Sequence, residues 1–179
     1  LSGLLFGVRV IACEHNTLSE VIKTEEGRTI LGLHVAPLVR ILYRYAKRII
    51  TVSEGIKVNL IADFGIPEDR IQTIYNPVDL SRINALITVS PEHPFFRNQK
   101  PIVIAMGRLT AQKGFDTLLK GFSRVISEID ARLIIMGEGP QRPHLEQTTR
   151  HLNIADKVSL PGFQKNPYAL LAHSAIFVL

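Results

Sequence analysis

The sequence predicts an α/β fold built on parallel, doubly wound sheets, and three observations lead there. Short apolar runs alternate with amphipathic stretches of helical period, most regularly after residue 100. Three consecutive runs end in glycine turns, Gly107-Arg108, Gly137-Glu138-Gly139 and Gly162-Phe163. Right-handed crossovers then gather those turns on one edge, where ligands of open α/β sheets bind.

Composition sets the frame. The 179 residues are 46% hydrophobic and 21% charged, a globular balance with room for one domain or two small ones. No apolar window is long enough to cross a bilayer, and the leading LSGLLFGV is short and lacks a basic flank, so neither a membrane span nor a signal peptide is expected. Cys13 is the single cysteine, which rules out an intrachain disulfide and a CxxC zinc site and fits a reducing cytoplasm. The net charge of +5 suits an anionic partner such as a nucleotide, a nucleic acid or an acidic membrane.

In the first half, residues 8–12 read as a strand, followed by the polar loop EHNTLS carrying His15. The charged stretch 23–29, with Gly27, reads as a loop. Residues 34–48 read as a helix with Leu38, Leu42, Tyr45 and Ile49 on one face and Arg40, Arg44 and Lys47 on another. That basic face suits either solvent or anionic lipid. A strand follows over 49–52, then Ser53 at an N-cap position with Glu54 in the first turn of a helix that closes at Gly65. IPEDR is a turn, 71–75 a strand, and Asn76-Pro77 a break. Residues 81–100, with Pro91 and Pro94, read as an interdomain linker that Phe95 and Phe96 plug onto one neighbour.

The second half is regular: strand 102–106, helix 114–129, strand 132–136, helix 141–152, strand 158–160, a short helix 167–174 opened by proline, and a last strand 175–179. The loop leaving the first of these strands is bracketed by Arg108 and Lys113. Arginine supplies a planar fork of donors, lysine a point charge, and Gly107 close backbone approach, which is what a phosphate or diphosphate needs. The bland reading is a turn with two solvated cations, but the convergence of three glycine turns favours the phosphate. Glu138 is open to two readings, a site residue or a cap of the following helix. Glu14 reads as a surface or pairing carboxylate rather than a catalytic base. His34, His93, His144, His151 and His173 lack metal-ligand spacing.

The motifs GRLTAQKGFDTLLKGF, RLIIMGEGP and VSLPGF with NPYALLAHSAIFVL, preceded by IITVSEGIKVNLIADFGIPEDRIQTIYNPVDL, cover most of the chain. On these the sequence resembles the retaining, family 4-like glycosyltransferases (glycosyl transferases group 1) of GT-B fold. The resemblance implies two Rossmann-like domains: 1–80 the C-terminal part of an acceptor-side domain, 81–100 the linker, and 101–179 the first part of a nucleotide-sugar-binding domain. It implies transfer of a sugar from a nucleotide-sugar donor to a glycan or lipid-linked acceptor, with retention. Arg108 and Lys113 would hold the donor diphosphate and stabilise the charge of the leaving group. Gly162, Phe163 and Gln164 would cup the nucleobase, with Gly107, Gly137 and Glu138 on the same edge, and His15 would contact the transferring sugar. With two side-chain cations on the diphosphate, no metal and no further cofactor is expected. Front-face attack, with the diphosphate taking the acceptor proton, requires no protein nucleophile. A cytoplasmic enzyme, at times on the inner face of an anionic membrane, is the expected setting.

Two pieces of that family's pattern are missing: the glycine-rich turn that opens its first domain, and a pair of glutamates just beyond the last strand. A fragment truncated at both ends, inactive alone and with uncovered apolar faces, is therefore expected. Other functions fit less well. A nucleotide-sugar epimerase of the same fold would need acid–base carboxylates that are not evident here. A non-catalytic nucleotide- or nucleic-acid-binding module is opposed, for nucleic acid, by 7% aromatics and no tryptophan. A dinucleotide oxidoreductase would need a third glycine where Arg142 stands.

Overall fold

A computed structural model describes residues 8–23, 29–30 and 33–179, with the side chains of 29, 30, 33 and 34 excepted. The apolar leader and most of the 23–29 stretch, Gly27 included, lie outside the described residues. The chain divides between Val78 and Asp79 into two compact units.

The first unit carries a parallel sheet of β1 (Ile11–Glu14), β4 (Arg48–Thr51) and β5 (Ile71–Thr73), in the order β1-β4-β5. Between β1 and β4 come α1 (Leu18–Lys23), the antiparallel pair β2 (Thr29–Ile30) and β3 (Leu33–His34), and α2 (Val35–Tyr43). Helix α3 (Glu54–Phe64) joins β4 to β5. Its ends form as the sequence dictates: the Ser53 hydroxyl accepts from Ile56 N at 3.3 Å, and Gly65 closes the helix in the left-handed region at φ 65°. Ile49, Leu60, Phe64, Ile66 and Ile71 pack with Val39 and Ala46 as the core.

Several sequence expectations shift here. The first strand starts at Ile11 rather than residue 8, and the EHNTLS loop contains the start of α1. Helix α2 is shorter than 34–48 and turns a different face inward: Val39 is buried and Tyr45 is 58% exposed. Arg44 and Lys47 stand beyond the helix end, so the three cations do not share a helix face.

The second unit opens with α4 (Leu80–Ile87), inside the stretch read as linker, capped by Asp79, whose side chain accepts from Arg82 N at 2.9 Å. A 3₁₀ turn over Pro94–Asn98 follows. Then come β6 (Ile102–Met106), α5 (Phe115–Val125), β7 (Arg132–Met136), α6 (Arg142–His151), β8 (Val158–Gly162), α7 (Pro167–Ala172) and β9 (Ile176–Val178). The sheet is wholly parallel, in the order β8-β7-β6-β9. The last strand is therefore not unpaired: Val103, Ile104 and Ala105 register with Ile176, Phe177 and Val178.

Alternate residues of β6 and β7 enter two cores. Ala105, Leu133 and Ile135 pack on one face with Phe115, Leu119, Phe122 and Leu145 of α5 and α6. Ile102, Ile104, Ile134 and Met136 pack on the other with Leu170, Phe95 and Phe96. A strand buried on both sides has no polar alternation, which is why IVIAM and RLIIM are continuous apolar runs. Because the strand order reverses between β6 and β9, the C-terminal edge there is a topological switch point.

Candidate functional site

The site is built from the three turns that leave β6, β7 and β8. They are tied together by backbone bonds: Gly107 N donates to Met136 O at 3.0 Å, Gly137 N to Gly162 O at 3.0 Å, and Leu109 N to Glu138 O at 2.9 Å. Gln141 N in turn donates to Leu109 O at 3.0 Å, so the buried Leu109 joins the first loop to the second at two points. Gly137 has φ 133°, and a Cβ there would overlap Gly107 O. Only glycine permits that approach.

The turns border an open cavity of about 450 Å³ lined by Gly107, Arg108, Gly137, Glu138, Phe163 and Gln164, together with Met106 and Met136. Lys165 and Pro167 complete the wall. That volume suits a small organic ligand, and an apolar lining with few polar groups is the usual character of such sites. Arg108 is exposed at its rim. Phe163 is 80% exposed, an aromatic face presented to solvent. Gln164 Nε2 donates to Pro161 O at 3.2 Å, which folds its side chain back onto the β8 turn.

Lys113 stands on the other side of the β6 loop. It lies over Gly107, such that a Cβ on that glycine would come within 3.4 Å of Lys113 Cε. It lines a separate depression with Ala105, Gly114, Phe115, Val178 and Leu179, at the β6/β9 switch point. The two cations thus flank Gly107 without sharing one cavity wall. His15 belongs to the first unit, exposed just past the C-terminal end of β1.

Glu138 follows neither of its two sequence readings alone. Helix α6 has no side-chain cap. Instead Glu138 Oε1 accepts from Arg142 Nη1 at 3.0 Å, and a Cβ on Gly162 would stand 2.5 Å from that same oxygen. Arg142 also donates from Nη2 to Leu160 O at 2.7 Å and pairs through Nε with Glu146 at 3.0 Å. One guanidinium therefore braces two of the three turns. Sequence reading noted Arg142 only as an absent glycine; its i, i+4 spacing from Glu138 and to Glu146 was the available signal.

Several other titratable groups make structural bonds. Glu14 accepts from the Tyr43 hydroxyl, and burial raises its carboxyl above the ordinary range. His93 caps the 3₁₀ turn, Nδ1 accepting from Phe95 N at 3.2 Å, while Nε2 lies 2.9 Å from Ser159 Oγ; burial lowers its pKa. His144 and Thr148 bond Asp116 across α5 and α6. Among the described residues no group of three His, Cys, Asp or Glu side chains stands together to hold a metal, and no helix is long and apolar enough to cross a membrane.

Comparison with known proteins agrees with this architecture. Residues 1–82 match the family described as Glycosyltransferase Family 4, and residues 100–179 the family described as Glycosyl transferases group 1. The chain is 30% identical over 142 residues to N-acetylgalactosamine-N,N'-diacetylbacillosaminyl-diphospho-undecaprenol 4-alpha-N-acetylgalactosaminyltransferase of Campylobacter jejuni, covering 78% of this chain and 36% of that protein. It is 26% identical over 166 residues to N-acetyl-alpha-D-glucosaminyl L-malate synthase of Bacillus anthracis, covering 89% and 43%. The crystal structure of Anabaena HepE with UDP and glucose superposes at a TM-score of 0.75 and 17% identity, over 98% of this chain and 47% of that one, a likeness of fold. The chain spans less than half the length of each of these proteins. Matched in both of its parts, the chain belongs to the group 1 glycosyltransferases of GT-B fold.

Proposed function

We propose that the chain takes part in moving a sugar from a nucleoside-diphosphate sugar to an acceptor hydroxyl, with retention at the anomeric carbon. Residues 101–179 would bind the donor, 1–80 would contribute the acceptor side, and 81–100 would link them. The observation that carries this reading is the cavity at the C-terminal edge of a parallel sheet, walled by three glycine turns with Arg108 at its rim. Family membership supplies the chemistry that such a cavity would serve.

In this reading the acceptor oxygen bonds the anomeric carbon while the bond to the diphosphate oxygen breaks on the same face. The departing oxygen carries off the electron pair and takes the acceptor's proton. Arg108 and Lys113, flanking Gly107, stabilise the charge gathering on the diphosphate, so the step asks for no metal. Gly137 and Glu138 border the sugar and diphosphate, Phe163 and Gln164 the nucleobase, and His15 orients a sugar hydroxyl. The Campylobacter relative acts on a diphospho-undecaprenol glycan, which supports a lipid-linked acceptor and a reaction at the cytoplasmic face of a membrane. The UDP held by HepE supports a nucleoside diphosphate donor.

Thermal-shift titration of this chain with UDP, GDP and ADP tests the donor site, because a bound ligand raises the melting temperature by mass action. One nucleotide is expected to stabilise the chain, and Arg108→Ala to abolish the shift. No response to any of the three would remove the donor assignment. The configuration of the first-formed product, read by proton NMR, tests retention.

A further inference from the structure

We propose that Arg142 is a positioning residue that holds the Glu138 carboxylate away from Arg108, leaving the guanidinium at the cavity rim free to take the donor diphosphate. Arg108 and Glu138 line the same cavity. For an anionic ligand that pairing of wall residues is a hazard. A carboxylate folded onto Arg108 would cancel the charge that the diphosphate meets, and a loose one would repel the diphosphate itself. Burial does not restrain Glu138, whose side chain is 56% exposed. Two other features do.

The first is the partner. Arg142 Nη1 donates to Glu138 Oε1 at 3.0 Å. The same guanidinium donates from Nη2 to Leu160 O at 2.7 Å and pairs through Nε with Glu146 Oε1 at 3.0 Å. A planar fork with all three nitrogens engaged cannot follow a swinging carboxylate, so it fixes the carboxylate instead. The second is the seat. Glu138 Oε1 rests over the buried Gly162, where a Cβ would stand 2.5 Å from that oxygen. A side chain at that position would push the carboxylate off the β8 turn.

The outcome shows at Arg108. Among the described residues it forms no ion pair, although a carboxylate lines the same cavity. Other carboxylates of this unit gather the cations around them: Asp130 meets Lys100, Arg132 and Lys157, and Asp116 meets Lys120. Arg142 is not among the residues that line the cavity, so it acts through Glu138 and not on the ligand. The inference rests on the donor reading of that cavity and adds to it the residue that keeps its cation unpaired.

Calorimetric titration of the chain with UDP, GDP and ADP identifies the nucleotide it holds, and the affinity for that nucleotide is then read in two variants. Arg142→Met should weaken it about tenfold, near the worth of one charge-assisted hydrogen bond. Adding Glu138→Gln to Arg142→Met should recover most of that loss, because a neutral amide does not compete for Arg108. A brace that only held the turns together would be lost in both variants alike. Undiminished binding in Arg142→Met, or no recovery in the double variant, would overturn the proposal and leave the donor site standing. Binding of none of the three nucleotides by the unaltered chain would overturn the donor site and this inference with it. If circular dichroism shows that Arg142→Met does not fold, Arg142→Gln with and without Glu138→Gln carries the same comparison.

Discussion

The two parallel sheets differ in how much of them is covered. In the second unit both faces of β6 and β7 are packed, and Ile104, Leu133, Ile134 and Ile135 are 0% exposed. In the first unit only one face is. Ile49 and Thr51 are 0% exposed, while Ile11 is 58% exposed and Cys13 is exposed on the other side of the pleat, among the described residues. Cations divide the same way. Lys100, Arg132 and Lys157 of the second unit converge on Asp130, and Lys100 and Arg132 hold its carboxyl far below the ordinary range, whereas Arg48 and Arg70 of the first unit are spent on carbonyls. The central strands of the second unit are covered on both faces, whereas the sheet of the first leaves apolar side chains such as Ile11 exposed.

The comparison can be broken most directly by truncation in the two sheets. Ile104→Ala, in the core with Ile134 and Leu170, should cost about 4 kcal/mol, and Ile50→Ala, half-buried on the open face, about 1 kcal/mol. Equal losses in denaturant melts would show that the open face is covered in solution. In a complete two-domain enzyme, Arg108→Ala should next lower kcat/KM by roughly 3 kcal/mol of transition-state stabilisation without moving the melting temperature, while Arg70→Ala should leave kcat/KM unchanged.

Glycines sharpen the contrast at a smaller scale. Gly137→Ala forces a Cβ into Gly107 O and should destabilise by about 2 kcal/mol, whereas Gly55→Ala meets nothing closer than Ser53 Oγ at 3.9 Å and should stabilise α3 by about 0.5 kcal/mol. Chemical denaturation distinguishes the two signs.

The smallest effect is in pH. The folded pKa of His93 lies below its unfolded value, so the unfolded chain takes up the proton first and stability falls as pH drops below about 6.5. His93→Asn should flatten that slope in pH-dependent denaturation, and an unaltered slope would show that His93 is not its source.

Much of the second unit was legible because its signals are local. Continuous apolar runs gave β6 and β7 their observed limits, and the glycine turns foretold which ends converge. The first unit was harder. A six-residue helix such as α1 is too short to show a period, and α2 carries apolar residues on two sides, so its buried face is chosen by the tertiary partner, β4 and α3, and not by spacing. Helix α4 was hidden within a proline-bearing stretch although Asp79 stood ready as its cap. At the site, the cations and glycines could be read, but Arg142 could not be, since its bond to Leu160 O spans a fold-dependent gap of 18 residues.

That guanidinium has a mechanical consequence. By gripping Glu138 and the Leu160 carbonyl at once, it makes the GEGP and LPG turns a single jaw with no hinge between them. Beyond that grip, the run from Phe163 to Lys165 is held through the Gln164 amide, which donates to Pro161 O at 3.2 Å. Any ligand entering the cavity would meet a braced wall at Glu138 and an unbraced one beyond Gly162.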